Sequence, residues 1–276
     1  MVPPPAIDLI ALDLDGTLLG PRDAVSAANR RALRAANAAG VRTVVVTGRA
    51  AADVPAGLIR ELNLDLPFIC AHGAVTKDFR SGRTLGHIPL PAAHALPMLE
   101  HAEKHRLHVA AYCNDRFWHL EGMPRHLEHA NGPHWRAVPS LVRALQRRRP
   151  TFIRIFGRPA IDEMHGAFAG LPLHFKHEVW EAHVECAVTS PKATKEAALA
   201  NLCANLNVTP ERVLAIGDSR NDVPMLRWAG TGIAMGNALP EVRRAVALVT
   251  RRCDEDGVAH AIERYVLEPR RRAAVA

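Results

Sequence analysis

Cysteine is scarce in this chain and irregularly placed. Five cysteines occur among 276 residues, and no two of them form a Cys-x-x-Cys pair. An odd number of widely separated cysteines argues against the disulfide framework that small secreted domains use. We therefore predict free thiols and a reducing, cytoplasmic location.

Long apolar runs and aromatic residues are also in short supply. Asp8, Asp13 and Asp15 interrupt the apolar stretch near the N-terminus, so we expect neither a signal peptide nor a membrane span. Aromatic residues make up only 5% of the chain, which leaves no evident stacking platform for single-stranded nucleic acid. We accordingly predict neither a membrane nor a nucleic acid as partner.

Positive charge, in contrast, is in excess. The formal net charge is +7, and two clusters contribute to it, Arg143 with Arg147–Arg149 and Arg270–Arg272, the second in what the sequence suggests is a frayed tail. We interpret both as solvated basic surface, which also attracts small phosphorylated substrates. The alternative from another function class is a non-catalytic protein that binds nucleic acid or another anion through these clusters.

Two segments of the chain alternate strands and helices. The apolar residues 6–15 and the β-branched residues 41–49 indicate strands on either side of a helix within 23–40. The alternation resumes with a helix from residue 195 and a strand at 212–218. Continuous apolar strands joined by helices are typical of a parallel sheet covered on both faces. We predict an α/β fold, a Rossmann-like doubly wound core of residues 1–83 and 187–276.

Residues 84–186 have a different pattern, which indicates an inserted α+β domain. Two β-rich segments flank Asn114-Asp115 and predict an antiparallel hairpin. Helical stretches are expected around 92–106, 123–130 and 160–169. The insertion holds 13 of the 15 histidines, and the pairs His101/His105 and His126/His129 have the spacing of metal ligands on a helix. We favour exposed helix faces, because zinc needs further ligands that the sequence does not identify.

Acidic and polar residues follow the predicted core strands. Asp13 and Asp15 end the first strand, and they would share one side of it if the strand extends that far. Asp218 and Asp222 follow a later strand. Because ligands of open α/β sheets bind beyond the carboxyl ends of the strands, we expect these four acids to meet there.

Four clustered carboxylates repel one another unless a cation joins them. Ligand sets made only of oxygen atoms favour a hard ion, above all Mg²⁺. Lys195 begins the helix that precedes the last of these strands, and Thr47 follows the second strand. Both are suitable donors to a phosphoryl group, so we predict a magnesium ion with a phosphate beside it.

These segments resemble the motifs of the haloacid dehalogenase superfamily, specifically its Cof-type branch, subfamily IIB. The motifs are, in order, DLDGTLL, VVVTGR, KEAAL and GDSRND. The insertion at 84–186 occupies the position of a type C2B cap, and residues 229–250 and 255–262 are similar to the Cof tail. The resemblance spans nearly the whole chain and implies a core that carries catalysis and a cap that selects the substrate.

For the residues, the resemblance implies phosphoryl transfer through an aspartyl-phosphate. Asp13 would be the nucleophile, and Asp15 would act as general acid and then general base. Mg²⁺ would be held by the Asp13 carboxylate, the Asp15 backbone carbonyl and Asp218. Asp222 completes the predicted metal site by orienting a metal-bound water or Lys195.

The remaining implied contacts concern the phosphate and the substrate. Thr47, Gly48 and Lys195 would bind the phosphate oxygens that do not react, and Asn221 would hydrogen-bond within this network. Two further positions stay open. Arg49 is either a substrate contact or an ion-pair partner. His72 stands where the family often has asparagine, and it either contacts the substrate or fills a hairpin.

The sequence therefore predicts an enzyme, a Mg²⁺-dependent phosphatase that hydrolyses small phosphorylated metabolites. Sugar phosphates are the leading substrate class. The alternative within enzymes is a sugar-phosphate phosphomutase, because related capped proteins return the phosphoryl group to a hydroxyl. We expect a monomer or a homodimer.

Overall fold

The computed structural model describes residues 6–21, 23–62, 64–122, 132–180 and 183–275. The helix predicted at 123–130 lies outside these ranges. The strands are β1 Leu9–Leu12, β2 Arg42–Val45, β3 Phe68–Cys70, β4 Val75–Lys77, β5 Thr84–His87, β6 Val109–Cys113, β7 Arg116–Leu120, β8 Trp135–Val138, β9 Phe152–Phe156, β10 His174–Trp180, β11 His183–Thr189, β12 Val213–Gly217, β13 Thr231–Ala234 and β14 Leu248–Val249. The helices are α1 Ala27–Ala38, α2 Ala56–Leu62, α3 Ala92–Lys104, α4 Leu141–Leu145, α5 Arg158–Phe168, α6 Lys195–Leu206, α7 Val223–Trp228, α8 Pro240–Arg244, α9 Gly257–Ile262 and α10 Glu268–Val275.

The chain divides into two compact units. The core unit comprises the chain up to Gly48, Pro55–Leu85 and the chain from Thr194 onward. The inserted unit comprises Arg49–Val54 and Gly86–Ala193. Arg49, predicted as a substrate contact, is thus grouped with the inserted unit.

A five-stranded parallel sheet forms the centre of the core unit. Its strand order is β14-β13-β12-β1-β2, and every adjacent pair is parallel. All four residues of β1 and all five of β12 are buried, as expected for strands covered on both faces. The parallel sheet with its connecting helices confirms the predicted doubly wound α/β fold.

The first strand is shorter than predicted. β1 ends at Leu12, and the following residues form turns in which the amides of Thr17 and Leu19 both donate to the carbonyl of Leu14. Gly16 adopts a φ of 71°, which a residue with a Cβ rarely adopts, and this conformation helps the chain turn away from the sheet. The strand thus does not extend to Asp13 and Asp15, so the argument from alternating side chains does not apply to them.

The inserted unit contains a six-stranded sheet of order β10-β11-β9-β6-β7-β8. Adjacent strands are antiparallel except for β7 and β8, which are parallel. The predicted hairpin is β6–β7, and its two turn residues have φ values of 52° and 57°, as a two-residue type I′ turn requires. Helices α3, α4 and α5 contribute to one hydrophobic core with this sheet, which includes Met98, Leu99, Leu141, Ile153, Ile161 and Met164. This confirms the predicted α+β character.

Two further expectations can be compared with the structure. All five cysteines are free thiols, as predicted. The basic C-terminal segment, expected to be frayed, is helix α10 instead, and Arg270 donates a hydrogen bond to the backbone carbonyl of Ile7. Within the described ranges, none of the helices combines the length and apolar character that crossing a bilayer requires.

Candidate active site

Asp13 occupies the first position after β1, at the carboxyl end of the parallel sheet. Its amide donates to the carbonyl of Ile216 on the neighbouring strand β12, with a distance of 3.1 Å. The residue is only 3% exposed. Burying a carboxylate is unfavourable without a compensating cation or hydrogen bonds, so the surroundings of this side chain decide its chemistry.

Lys195 is the cation that meets Asp13. It is the first residue of α6, whose N-cap Thr194 accepts a hydrogen bond from the amide of Ala197. The buried ammonium donates to Asp13 Oδ1 at 2.6 Å and to Asp222 Oδ1 at 2.7 Å. One lysine therefore joins two carboxylates that come from different ends of the chain.

The second oxygen of Asp222 holds the loop after β12. Asp222 Oδ2 accepts from the amides of Asp218 at 3.1 Å and Ser219 at 3.0 Å, and the Ser219 Oγ lies 3.1 Å from it. With Lys195 on Oδ1, both oxygens of this carboxylate are engaged. Asp222 thus contacts both the lysine and the loop. Its part in the metal site, which the resemblance implies to be the orientation of a metal-bound water or of Lys195, stays a prediction.

Asp218 faces the turn after β1. The Thr17 hydroxyl donates to Asp218 Oδ1 at 3.4 Å. A Cβ on Gly16 would lie 2.3 Å from Asp218 Oδ2, so only glycine allows the turn to approach this closely. One carboxylate oxygen from each of Asp13, Asp218 and Asp222 lies within 4.8 Å of the others.

The electrostatics of the cluster follow from burial and from repulsion. Burial raises the pKa of Asp13 well above its usual value, and the nearby carboxylates of Asp222, Asp218 and Asp15 raise it further against the opposing effect of Lys195. Burial and then Asp222 raise the pKa of Asp218 to about 6. Negative charge is therefore present in excess of what one lysine neutralises.

Lys195 responds to the same surroundings in the opposite direction. Burial alone would lower the pKa of its ammonium, but the carboxylates of Asp13 and Asp222 outweigh burial and raise the pKa above the usual value. The lysine is therefore a permanent cation at neutral pH. It is suited to binding an anionic group and unsuited to accepting a proton.

The donor chemistry of the cluster fits a hard divalent cation. The converging ligand atoms of Asp13 and Asp218 are carboxylate oxygens, which Mg²⁺ prefers over softer ligands. The raised pKa values of both groups show that a further positive charge would stabilise their ionised forms. Asp13 and Asp218 are thus the side chains that would hold such an ion.

Asp15, Thr47 and Gly48 lie in the same unit as this cluster. Asp15 is half-buried, and its charge contributes to the raised pKa of Asp13. Thr47 is fully buried, and its amide donates to the Ile69 carbonyl at 2.8 Å. Gly48 is half-buried in the same loop. The Thr47 carbonyl in turn accepts from the amide of His72, which ties the loop after β2 to the loop after β3.

His72 and Asn221 form a contact that sequence reasoning did not find. Asn221 Oδ1 accepts the Ser219 hydroxyl at 2.9 Å, and its Nδ2 lies 3.2 Å from His72 Nδ1. His72 is buried and has a φ of 58°, so a strained backbone holds it against the loop of the predicted metal site.

Gly73 brings that strained loop against helix α6. A Cβ at this position would lie 2.1 Å from the carbonyl oxygen of Thr194. The next residue in the helix is Lys195. The absence of a side chain at Gly73 therefore lets the helix start close enough for Lys195 to reach Asp13.

Asn237 is a further residue that sequence reasoning missed. Its Nδ2 donates to the carbonyl of Gly16 at 2.7 Å, and its Oδ1 accepts from the amide of Cys253 at 2.8 Å. The side chain thus fastens the turn after β1 to the C-terminal part of the chain. The sequence offered one indication, that Asn237 lies in the segment 229–250, which is similar to the Cof tail. That similarity implied no role for any single residue in the segment.

Comparison with known proteins agrees with this geometry. The family model described as haloacid dehalogenase-like hydrolase matches residues 10–262. The pyridoxal phosphate phosphatase YbhA of Escherichia coli is 28% identical, over 94% of this chain and 98% of its own. The 5-amino-6-(5-phospho-D-ribitylamino)uracil phosphatase YcsE of Bacillus subtilis is 30% identical, over 95% of this chain and 96% of its own.

A solved structure gives the same result. A haloacid dehalogenase-like hydrolase from B. subtilis superimposes with a TM-score of 0.80 and 29% identity, over 93% of this chain and 99% of that one. The relatives named as phosphatases confirm the prediction of a phosphoric monoester hydrolase at the level of the family. The chain belongs to the haloacid dehalogenase-like hydrolase family.

Proposed function

We propose that this protein is a Mg²⁺-dependent phosphatase that hydrolyses small phosphorylated metabolites through an aspartyl-phosphate on Asp13. The observation that carries the proposal is the convergence of Asp13, Lys195 and Asp218 at the carboxyl end of the parallel sheet. Buried clusters of ionisable side chains in which acids outnumber bases are typical of catalytic sites.

Asp13 is the nucleophile in this proposal. Lys195 holds Oδ1 at 2.6 Å and thereby fixes the orientation of the carboxylate. An oxygen of Asp13 attacks phosphorus, the bond between phosphorus and the ester oxygen breaks, and the leaving oxygen takes a proton from Asp15. Water then attacks the aspartyl-phosphate, gives a proton to Asp15, and releases phosphate from Asp13.

Asp15 suits the acid–base role because it is half-buried, close enough for its charge to raise the pKa of Asp13, and more exposed than Asp13. Lys195 stabilises the negative charge on the transferring group as a permanent cation, and Thr47 and Gly48 supply neutral donors beside it. When bound, Mg²⁺ would neutralise the clustered carboxylates and polarise the phosphoryl group.

The inserted unit is the substrate-selecting cap in this proposal. YbhA and YcsE, by their names, act on pyridoxal phosphate and on a phosphoribityl-aminouracil. Both compounds are small phosphate monoesters, which supports the proposed substrate class. Sugar phosphates remain the leading prediction within that class, and the cytoplasmic location stays a prediction.

The test is phosphate release from p-nitrophenyl phosphate by the purified full chain. We expect turnover with Mg²⁺ and none after chelation with EDTA. Asp13→Asn should lower kcat by about 10³-fold or more, because the nucleophile is lost while Lys195 keeps its bond to Asp222. Retained turnover in Asp13→Asn would exclude Asp13 as nucleophile.

A panel of metabolites then identifies the substrate. Sugar phosphates, pyridoxal phosphate and phosphorylated ribityl compounds are compared by kcat/KM, with free phosphate as the product measured. Migration of the phosphoryl group to another hydroxyl of the same sugar, without release of phosphate, would favour the phosphomutase alternative.

A further inference from the structure

The inserted unit brings together two histidines and a glutamate that the proposed phosphatase function does not use. His101 lies in the last turn of α3, and His105 follows that helix directly. The amide of His105 donates to the carbonyl of His101 at 3.0 Å, so the helical turn continues through both residues. Their rings lie nearly parallel, with centroids 4.1 Å apart. The spacing of four residues therefore places both side chains on one face.

Glu163 comes from the neighbouring helix α5. Its Oε1 lies 3.0 Å from His101 Nε2 and 3.8 Å from His105 Nδ1. The three ligand atoms all lie within 4.8 Å of one another. Two imidazoles at the end of one helix are a weak ligand set by themselves. Here the carboxylate of Glu163, from helix α5, adds a third ligand to His101 and His105.

We propose that His101, His105 and Glu163 form a binding site for a divalent transition metal of the zinc type. Ligand atoms at about 2.0–2.1 Å from a tetrahedral zinc ion lie about 3.3–3.4 Å apart. The two separations from Glu163 Oε1 bracket that value. The two imidazoles, which now lie nearly parallel, would have to rotate until a nitrogen of each points at a common ion. Two imidazoles and one carboxylate select zinc-like ions over Mg²⁺, which prefers oxygen ligands only.

Burial around the ligands makes the site rigid on the protein side and open on the solvent side. Ala102 and Met164, each adjacent in sequence to a ligand, are fully buried in the shared hydrophobic core of α3 and α5. The ring of His101 also makes an edge contact with Phe168 of α5, with centroids 5.4 Å apart. The side chains of His101, His105 and Glu163 are 21%, 41% and 45% exposed, so water can fill the fourth coordination position.

The bound ion would connect the end of α3 to α5. The polar contact between the two helices at this point is the hydrogen bond between His101 and Glu163, both partly exposed, which contributes little to stability. A coordinated metal binds only the folded arrangement, because the three ligands are dispersed in the unfolded chain. The site is therefore a metal-dependent link within the inserted unit, independent of the phosphatase chemistry.

The test measures zinc binding in a full-length chain whose acidic cluster has been disabled. Asp13→Asn and Asp218→Asn together remove the competing carboxylate site, and a chromophoric chelator reports free Zn²⁺. We expect one equivalent of zinc per chain. His101→Ala and His105→Ala should each weaken binding by about tenfold or more, and Glu163→Gln should weaken it as well. Co²⁺ in place of zinc should give visible absorption bands that both histidine variants lose.

His165→Ala is the matched control, because His165 is exposed on the same helix α5 and contacts Phe175 instead of the cluster. Zinc at a hundredfold excess over Kd should raise Tm by about 5 °C in the parent and in the control, and not in His101→Ala. The proposal fails if no zinc binds, if the histidine variants keep full affinity, or if the control loses as much as they do. The last result would identify an adventitious ion only. Phosphatase activity plays no part in these outcomes.

Discussion

Each unit of this protein contains a cationic side chain placed between two acidic ones. The two arrangements differ in how deeply these side chains are buried. In the core unit, Lys195 bonds Asp13 and Asp222 at 2.6 and 2.7 Å, with all three side chains at most 5% exposed. In the inserted unit, Arg154 pairs with Asp53 at 3.2 Å and with Glu185 at 3.4 Å. The arginine cluster is looser and reaches closer to solvent.

The two cations also differ in what else surrounds them. The guanidinium of Arg154 lies over the ring of Phe117, 4.7 Å from its centroid, so its charge is met by aromatic faces as well as by acids. Lys195 is a compact charge, and beyond its two partners lies a third carboxylate, Asp218, whose pKa is raised to about 6. The comparison teaches that both clusters set one cation against two acids, and that the lysine cluster has a third carboxylate, Asp218, beside them. The lysine cluster keeps surplus negative charge, which is the condition for binding an additional cation.

The largest effect is expected from removing the lysine. Lys195→Met leaves two buried carboxylates without their cation, and we expect the free energy of unfolding at pH 7 to fall by about 3–5 kcal/mol. Turnover should also fall by about 10²-fold or more, because the charge that stabilises the transferring group is lost. Urea unfolding without metal measures the first effect. Mg²⁺ should restore part of the stability, and a variant as stable as the parent would show that the cluster is not under electrostatic strain.

The pH dependence of the metal-free protein tests the surplus charge directly. The folded-state pKa values of Asp13 and Asp218 lie above the unfolded value of about 3.9. Their protonation therefore stabilises the folded state fully below about pH 4. The contribution of Asp218 is lost as the pH rises through about 6, and that of Asp13 is lost as the pH rises through its own raised pKa. We expect the free energy of unfolding in EDTA to fall by on the order of 1–2 kcal/mol between pH 5 and pH 7.5.

Two controls sharpen that measurement. The raised pKa of Lys195 changes stability only in the alkaline range, so it does not contribute to this window. Asp218→Asn should flatten the curve, since it removes one titrating group, and Mg²⁺ should reverse it by favouring the ionised carboxylates. If stability changed with pH between 5 and 7.5 in Asp218→Asn just as it does in the parent, the assignment of excess negative charge to Asp218 would be contradicted.

A smaller effect is expected at the glycine that faces Asp218. Gly16→Ala and Gly40→Ala both place a Cβ on a backbone of positive φ, at a cost of about 1 kcal/mol each. Only Gly16 has a neighbour, Asp218 Oδ2, at 2.3 Å from that Cβ, whereas nothing lies within 4 Å of it at Gly40. We therefore expect Gly16→Ala alone to weaken Mg²⁺ binding, measured by calorimetric titration. Equal Mg²⁺ affinity in the two variants would exclude Asp218 from the metal site.

The smallest effect is expected in the inserted unit. Arg154→Lys keeps the charge but loses the planar group that reaches both acids and covers the Phe117 ring. We expect a loss of about 1 kcal/mol or less in thermal or urea unfolding, and an unchanged Mg²⁺ affinity. A shift in Mg²⁺ affinity would show that the two clusters are coupled.

Local signals in the sequence were sufficient for much of the fold. Helix α6 begins at Lys195, as its pattern predicts, and the Asn114-Asp115 turn joins β6 to β7. The length of β1 was overestimated, because a run of alternating apolar residues does not reveal the turn that Gly16 initiates. Order along the chain likewise indicated that the acids would converge, since parallel strands end at one edge.

Contacts between distant side chains could not be predicted in the same way. The pairing of His72 with Asn221 depends on two loops whose backbone geometry has no simple sequence signature. Glu163 completes the histidine pair from a different helix, and only the packing of α3 on α5 brings it there. In each case the missing information was the relative position of two elements, which hydrophobic periodicity does not encode.

A methyl group at Gly73 would overlap the carbonyl of Thr194, so alanine there would push the start of α6 outward. Lys195 is then the residue that retreats, and its 2.6 Å contact with Asp13 is the first to open. The position of the Lys195 ammonium thus depends on the absence of a Cβ at Gly73, in the loop that follows β3. Chemical competence in such a site depends on empty space as much as on charged groups.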